Sequence, residues 1–218
     1  MIFDCDGVLV DSEPLACRIL AEAVRDLGLA MDDEEANEVF LGCSLEMVVE
    51  ILAFRLGRPL DASFAEKFLD DLHTEMRHKL EAISGVHTAI KKILALDRIG
   101  GLCVASNGEA ETVRISLSTV GLISFFGEAL YTATEAGRAK PHPDLFLFAA
   151  REMNFTPENC IVVEDSLHGV NAARAAGMRV FGYASDAYPD ELCDHTLSVA
   201  GARVFNDMAQ LPALIAGA

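Results

Sequence analysis

Basic residues are scarce in this chain. Its 218 residues carry 17 Lys and Arg against 34 Asp and Glu, a net charge of -17. Neither a phosphate backbone nor an anionic lipid surface approaches such a protein without a basic patch, so the expectation is no nucleic-acid partner and no membrane partner. Any anionic substrate must be drawn by a local exception. Also missing is any Cys-x-x-Cys pair. The six cysteines (Cys5, Cys17, Cys43, Cys103, Cys160 and Cys193) are scattered, and Cys103 and Cys160 sit in apolar, strand-like runs. That scatter reads as buried, reduced thiols in a cytoplasmic protein. No apolar run approaches the ~18 residues a membrane span needs. The first acidic residues follow Met1 too soon for a signal peptide. Internal repeats and low-complexity segments are absent.

What is present is ample apolar material, 51 % of residues, far from the composition of disorder. The length exceeds the usual ~100 to 200 residues of one domain, so a large domain or a domain with an insert is expected. Residues 13–83 read as helical. Leu15, Ile19, Leu20, Ala23, Val24 and Leu27 share one face, and Gly28 ends that helix. Further helical segments fall near 33–39, 44–55, with a start at Ser44, and 62–80, and no strand pattern interrupts them. From residue 84 the pattern alternates. Helices over 86–96, 109–120, 143–153 and 167–176 separate apolar strands over 101–105, 129–132, 160–163 and 179–183, before a strand at 203–205 and a helix at 208–215. Strands apolar throughout and separated by helices predict a parallel sheet covered on both faces. Met1 to Phe3 joins that sheet, which makes the core 1–12 with 84–218, interrupted by a helical domain over 13–83.

In such sheets ligands bind beyond the carboxyl ends of the strands. The first strand delivers Asp4 and Asp6, two carboxylates on the same side of an extended backbone, followed by Gly7 where the chain can turn. The strand LCVA delivers Ser106, Asn107 and Gly108, and CIVV delivers Glu164 and Asp165. The segment AKPHPD places Lys140 before a helix marked by Pro141 and Pro143. Taken singly these are an acidic loop, a capped turn, a surface lysine and a helix cap. Their joint occurrence at strand ends and helix starts describes a site. Four carboxylates without a His or Cys motif make an oxygen-ligand set, for which Mg²⁺ is the expected metal and zinc is not. Ser106, the amides after it and Lys140 make an anion cradle.

The stretches FDCDGVLVDSE, VASNG, AKPHPD and VVEDSLHGVNAARAAGM, in that order, resemble the haloacid dehalogenase-like hydrolases, in the branch with a small helical cap inserted after the first strand. The resemblance spans the whole chain. It implies an α/β fold, a Rossmann-like parallel sheet core with an inserted all-helical cap. It also implies a phosphatase whose nucleophile is Asp4, with Asp6 as general acid and then base. By the same resemblance Asp4, the Asp6 backbone carbonyl and Asp165 hold Mg²⁺, Glu164 completes or orients that shell, and Ser106, Asn107 and Lys140 take the phosphoryl oxygens.

The sugar-phosphate mutases of this branch are the alternative, together with a catalytically silent sugar-phosphate-binding protein. Mutases carry a cap His, a cap Arg and a Lys after the serine. Here those positions correspond to Ala16, Leu45 and Asn107 or Gly108, which favours the phosphatase. Dehalogenases lack the second aspartate, so Asp6 argues against that chemistry. The pattern is most similar to bacterial phosphatases acting on 6-phosphogluconate and related sugar phosphates, which implies a small phosphorylated metabolite as substrate; a monomer or weak dimer is the separate expectation for assembly. Cap candidates for gripping that substrate are Arg55, Arg58, Lys67, Arg77 and His78.

Overall fold

The computed structural model describes residues 1–40, 45–61, 63–184 and 191–217. Cys43, the helix start at Ser44 and the first residue of the 62–80 helix lie outside the described residues. The chain opens with strand β1 (Ile2–Phe3), followed by helices α1 (Glu13–Asp26), α2 (Asp33–Phe40), α3 (Leu45–Leu56) and α4 (Phe64–Lys79). Then come α5 (Val86–Leu94), β2 (Cys103–Ser106), α6 (Ala110–Thr119), α7 (Ile123–Phe126), β3 (Leu130–Thr132), α8 (Ala133–Ala136) and α9 (Asp144–Glu152). The chain ends with β4 (Ile161–Glu164), α10 (Leu167–Ala175), β5 (Arg179–Tyr183), α11 (Glu191–Val199), β6 (Arg203–Phe205) and α12 (Leu211–Ala216). No helix among the described residues is long and apolar enough to cross a membrane.

Two compact units result, one of Met1–Val10 with Glu81–Ala218 and one of Asp11–Leu80. In the first, six strands form one sheet in the order β3-β2-β1-β4-β5-β6, and every pairing is parallel. Each residue of β1, β2 and β4 is buried, which is why these strands are nearly continuous apolar runs with no alternation. Helix α5 shows the complementary pattern, with Val86, Ala89, Ile90 and Ile93 buried at the spacing of one helical face. Phe3, Phe146, Leu145 and Leu117 are among the fully buried side chains, each stabilising the fold by roughly 1.5–3 kcal/mol relative to exposure.

In the second unit α1 packs against α2 and α4. Leu15, Ile19, Leu20 and Val24 form the buried face of α1, and Phe68, Leu72, His73 and Met76 that of α4. Gly28, at φ 87°, takes the left-handed turn after α1 that a side chain would resist. Two cavities of about 310 and 300 Å³ run along α1 and α4.

Differences from the sequence reading have local causes. Strand β4 starts at Ile161, because a 3-10 turn at Pro157–Asn159 takes the Cys160 N–H onto the Pro157 carbonyl. It runs on to include Glu164, which pairs with Gly182. Strand β2 likewise includes Ser106, held opposite Thr132. Helix α12 begins at Leu211 because Pro212 in its first turn has no N–H to continue a ladder from residue 208. Helix α11 and the short α7 and α8 carry no clear apolar period and are additions to the sequence reading.

Candidate active site

The chain runs from β1 out to β2 and β3 on one side, then returns to lay β4, β5 and β6 on the other. The strand order therefore reverses between β1 and β4, and a crevice opens beyond their carboxyl ends. Asp4 stands at that point, its N–H donating to the Val163 carbonyl at 2.9 Å. The carboxylate is buried. After it the chain folds into a tight loop: the N–H groups of Leu9 and Val10 donate to the Cys5 carbonyl, and Gly7 N–H donates to Val10. Gly7 has φ 73° and lies against Asp165, so that a Cβ here would collide with Asp165 Oδ2. Asp6, half-buried, sends its carboxylate toward Gly108. A Cβ placed on Gly108 would have Ser106 Oγ 3.2 Å away and Asp6 Oδ2 3.9 Å away.

Lys140 lies in the turn before α9, its side chain only 3 % exposed. Its Nζ donates to Asp4 Oδ1 and to Glu164 Oε1, each at 2.6 Å, and stands 5.0 Å from the centre of the Phe146 ring. Glu164 is fully buried. Its second oxygen accepts from the N–H groups of Asp165 and Ser166 at 3.0 and 2.9 Å and from the Ser166 hydroxyl at 2.9 Å. That hydroxyl in turn accepts from Gly169 N–H, capping α10. Ser106 is buried, with its Oγ accepting from Gly108 N–H at 3.0 Å, so this amide is already engaged inside the expected anion cradle. Asn107, expected among the phosphate ligands, turns its carboxamide onto the Lys140 main chain.

Asp4, Glu164 and Asp165 each offer a carboxylate oxygen, all within 4.8 Å of one another. The Asp6 carboxylate is not part of this group. Three carboxylates gather here and the one lysine bonds to two of them, which leaves an excess of negative charge on oxygen donors that could hold a hard cation. Glu164 has the least left to offer, since Lys140 and the turn after β4 engage both its oxygens. Burial is the largest influence on Asp4 and pushes its carboxyl up to about 7; Lys140 opposes the shift, while Glu164 and Asp6 add to it. Burial works to lower the Lys140 ammonium, but Asp4 and Glu164 outweigh it and hold the group above the usual lysine range.

The family model for haloacid dehalogenase-like hydrolases matches residues 1–183. The chain belongs to that family. This hydrolase is 31 % identical over 215 residues to the 6-phosphogluconate phosphatase of Escherichia coli (strain K12), covering 98 % of the chain and 93 % of the relative. A conserved haloacid dehalogenase-like protein of unknown function from Agrobacterium tumefaciens str. C58 is similar over 99 % of this chain and 96 % of its own, with 35 % identity and a TM-score of 0.80. A family hydrolase from Deinococcus radiodurans R1, solved with bound phosphate and sodium, is 31 % identical over 99 % of this chain and 94 % of its own, with a TM-score of 0.79. The chain is a phosphatase of this family, a phosphoric monoester hydrolase.

Phe146, Ser166 and Gly169 support the site and are absent from the sequence reading. Ser166 carries a local signal, a serine directly before a helix, whereas the packing of Gly169 on Glu164 and of Phe146 on Lys140 shows only in the folded chain. Of the helical-unit candidates, Arg55 pairs with Glu35 at 3.0 Å and Lys67 with Asp26 at 3.6 Å. Arg58 and Lys67 line the 300 Å³ cavity, while Arg77 and His78 are exposed in the last turn of α4.

Proposed function

We propose that this hydrolase is a Mg²⁺-dependent phosphatase of small sugar phosphates that works through a phosphorylated Asp4. The observation that carries the reading is the seating of Lys140 Nζ between Asp4 and Glu164, at 2.6 Å from each. A buried carboxylate beside a buried ammonium is a nucleophile whose approach to an anionic phosphate is electrostatically offset. Asp4 and Asp165 would hold the metal, with the Asp6 backbone carbonyl, and Glu164 would orient them. The donor set fits Mg²⁺, being made of carboxylates without His or Cys. When bound, the ion supplies charge neutralisation for the phosphoryl group.

The chain's own residues then account for each bond change. An Asp4 carboxylate oxygen attacks phosphorus as the bond to the leaving oxygen breaks, and Asp6 gives that oxygen its proton. Asp6, now ionised, takes a proton from a water whose oxygen attacks the Asp4 phosphoryl group, releasing phosphate and restoring Asp4. Ser106 and Lys140 bind phosphoryl oxygens in both steps. Replacing either is expected to lower kcat about a hundredfold or more. The Escherichia coli relative named for 6-phosphogluconate and the family resemblance favour a sugar phosphate as substrate.

The test is phosphate release from p-nitrophenyl phosphate and a panel of sugar phosphates, with and without Mg²⁺, for the parent and for Asp4→Asn. Release that needs both Asp4 and Mg²⁺ is the expected result. Exchange of sugar 1- and 6-phosphates without net release would replace the reading with a mutase, and silence across the panel would replace it with a binding protein.

A further inference from the structure

We infer that Asn107 is a positioning residue for Lys140, fixing the lysine's main chain to the rim of the sheet. The inference rests on the proposed role of Lys140 at the phosphoryl group. Asn107 Oδ1 accepts from Lys140 N–H at 2.9 Å, and Asn107 Nδ2 donates to the Lys140 carbonyl at 3.3 Å. The two residues are 33 positions apart, and both peptide groups of the lysine are answered by one side chain.

The need for such a partner follows from where Lys140 lies. It sits in a turn between α8 and α9, where neither helix nor strand supplies hydrogen bonds. Pro141 follows with no N–H of its own, and the turn's own bond, from His142 N–H to the Ala139 carbonyl, passes over Lys140. The residue is buried, so an unanswered N–H or carbonyl there would be costly. A carboxamide is the one short side chain that presents an acceptor and a donor side by side, and it stands in for the missing neighbouring strand. Aspartate would set an acceptor against the lysine carbonyl, and alanine would leave both groups bare.

The anchor at the other end is firm. Asn107 follows Ser106, the last residue of β2, which is paired with Thr132 of β3. Strand β2 also lies against β1, the strand that delivers Asp4. The carboxamide thus ties the lysine's backbone to the same sheet that places the nucleophile. Two hydrogen bonds of 2.6 Å from Nζ leave little tolerance at the end of a four-carbon stem, and a misplacement of about 1 Å costs on the order of a hundredfold in rate.

The experiment is a double-mutant cycle on the full chain with saturating Mg²⁺ and p-nitrophenyl phosphate, using Asn107→Ala, Lys140→Met and the double variant. Asn107→Ala is expected to lower kcat about 10- to 100-fold with KM changed by less than about threefold. In the Lys140→Met background its further effect is expected to be under about threefold. Hydrogen exchange in the absence of metal gives an independent reading. The Lys140 N–H of Asn107→Ala is expected to exchange at least about tenfold faster, with Val104 and Ala105 unchanged. Asn107→Asp, of the same size, carries the same cycle if the alanine variant does not fold. Penalties that multiply in the double variant would make Asn107 a group acting by itself and overturn the inference. Unchanged kcat or unchanged Lys140 exchange in Asn107→Ala would overturn it as well. A fully active Lys140→Met would remove the proposed reaction and this inference with it, an outcome distinct from multiplying penalties.

Discussion

Glu164 and Gly169 are packed so closely that a Cβ on Gly169 would fall inside the Glu164 carboxylate. Gly169 occupies the first turn of α10, where alanine is ordinarily the better helix former by roughly 1 kcal/mol. Here the sign reverses, because the displaced carboxylate would lose Lys140 and the donors of the turn after β4. Gly169→Ala is expected to lower unfolding free energy by on the order of 2 kcal/mol, measured by urea denaturation, together with phosphatase activity. A stabilised variant would show that the carboxylate does not lie where the fold puts it.

Asp4 gives the chain a stability that depends on pH in a defined direction. Burial, with smaller additions from Glu164 and Asp6 against the pull of Lys140, raises it to about 7 in the folded chain, against about 3.9 when unfolded. Between those values the folded chain holds a proton that the unfolded chain releases, so the contribution of Asp4 to stability declines as pH rises from about 4 to about 7. Metal-free Asp4→Asn, which carries no charge there, is expected to be more stable than the parent at pH 8. Its advantage should shrink steadily toward pH 4. Urea midpoints collected across that range check the slope, and a constant difference would contradict the assignment.

Cation binding should appear as stabilisation of the folded chain. Asp4 and Asp165 offer oxygens within one small space, and a ligand bound only by the folded state adds about 1.4 kcal/mol for each tenfold excess over its Kd. Thermal melting with increasing MgCl₂ is expected to raise Tm for the parent and to leave Asp165→Asn unchanged. Equal shifts in both proteins would move the ion elsewhere.

The thiols make a chemical test of the core. Cys5, Cys103 and Cys160 are buried and unpaired. Burial pushes all three thiols up, Cys103 to about 12, which suppresses the reactive thiolate. Cys17 is only half-buried. Alkylation of the native protein at pH 8, followed by peptide mass mapping, is expected to mark Cys17 well before those three, with all four reacting after denaturation.

The sheet was legible because the central strands are apolar runs next to helix signals, and β5 and β6, each opening on an exposed arginine, still appear in the fold at the residues the pattern predicts. Asp4, Ser106 and Glu164 could be read as rim residues for the same reason: each stands at the carboxyl end of such a run. The partnership of Asn107 with Lys140 left no trace in the sequence, since a hydrogen bond across 33 residues has no period and no composition. The helical face over 191–199 was hidden differently, by polar residues that blur its spacing. The extension of β4 through Glu164 depended on its neighbour Gly182, a register that only the assembled sheet sets.

Val10 forms an isolated bridge with Ala82, and Ile83 N–H donates to the Leu9 carbonyl at 3.0 Å. The 70-residue helical excursion between them therefore departs and returns through one zipped stem. The two ends of the first unit's chain at this break are thus held a hydrogen bond apart, so a segment of any length whose own ends meet could be spliced there without breaking the path of the sheet.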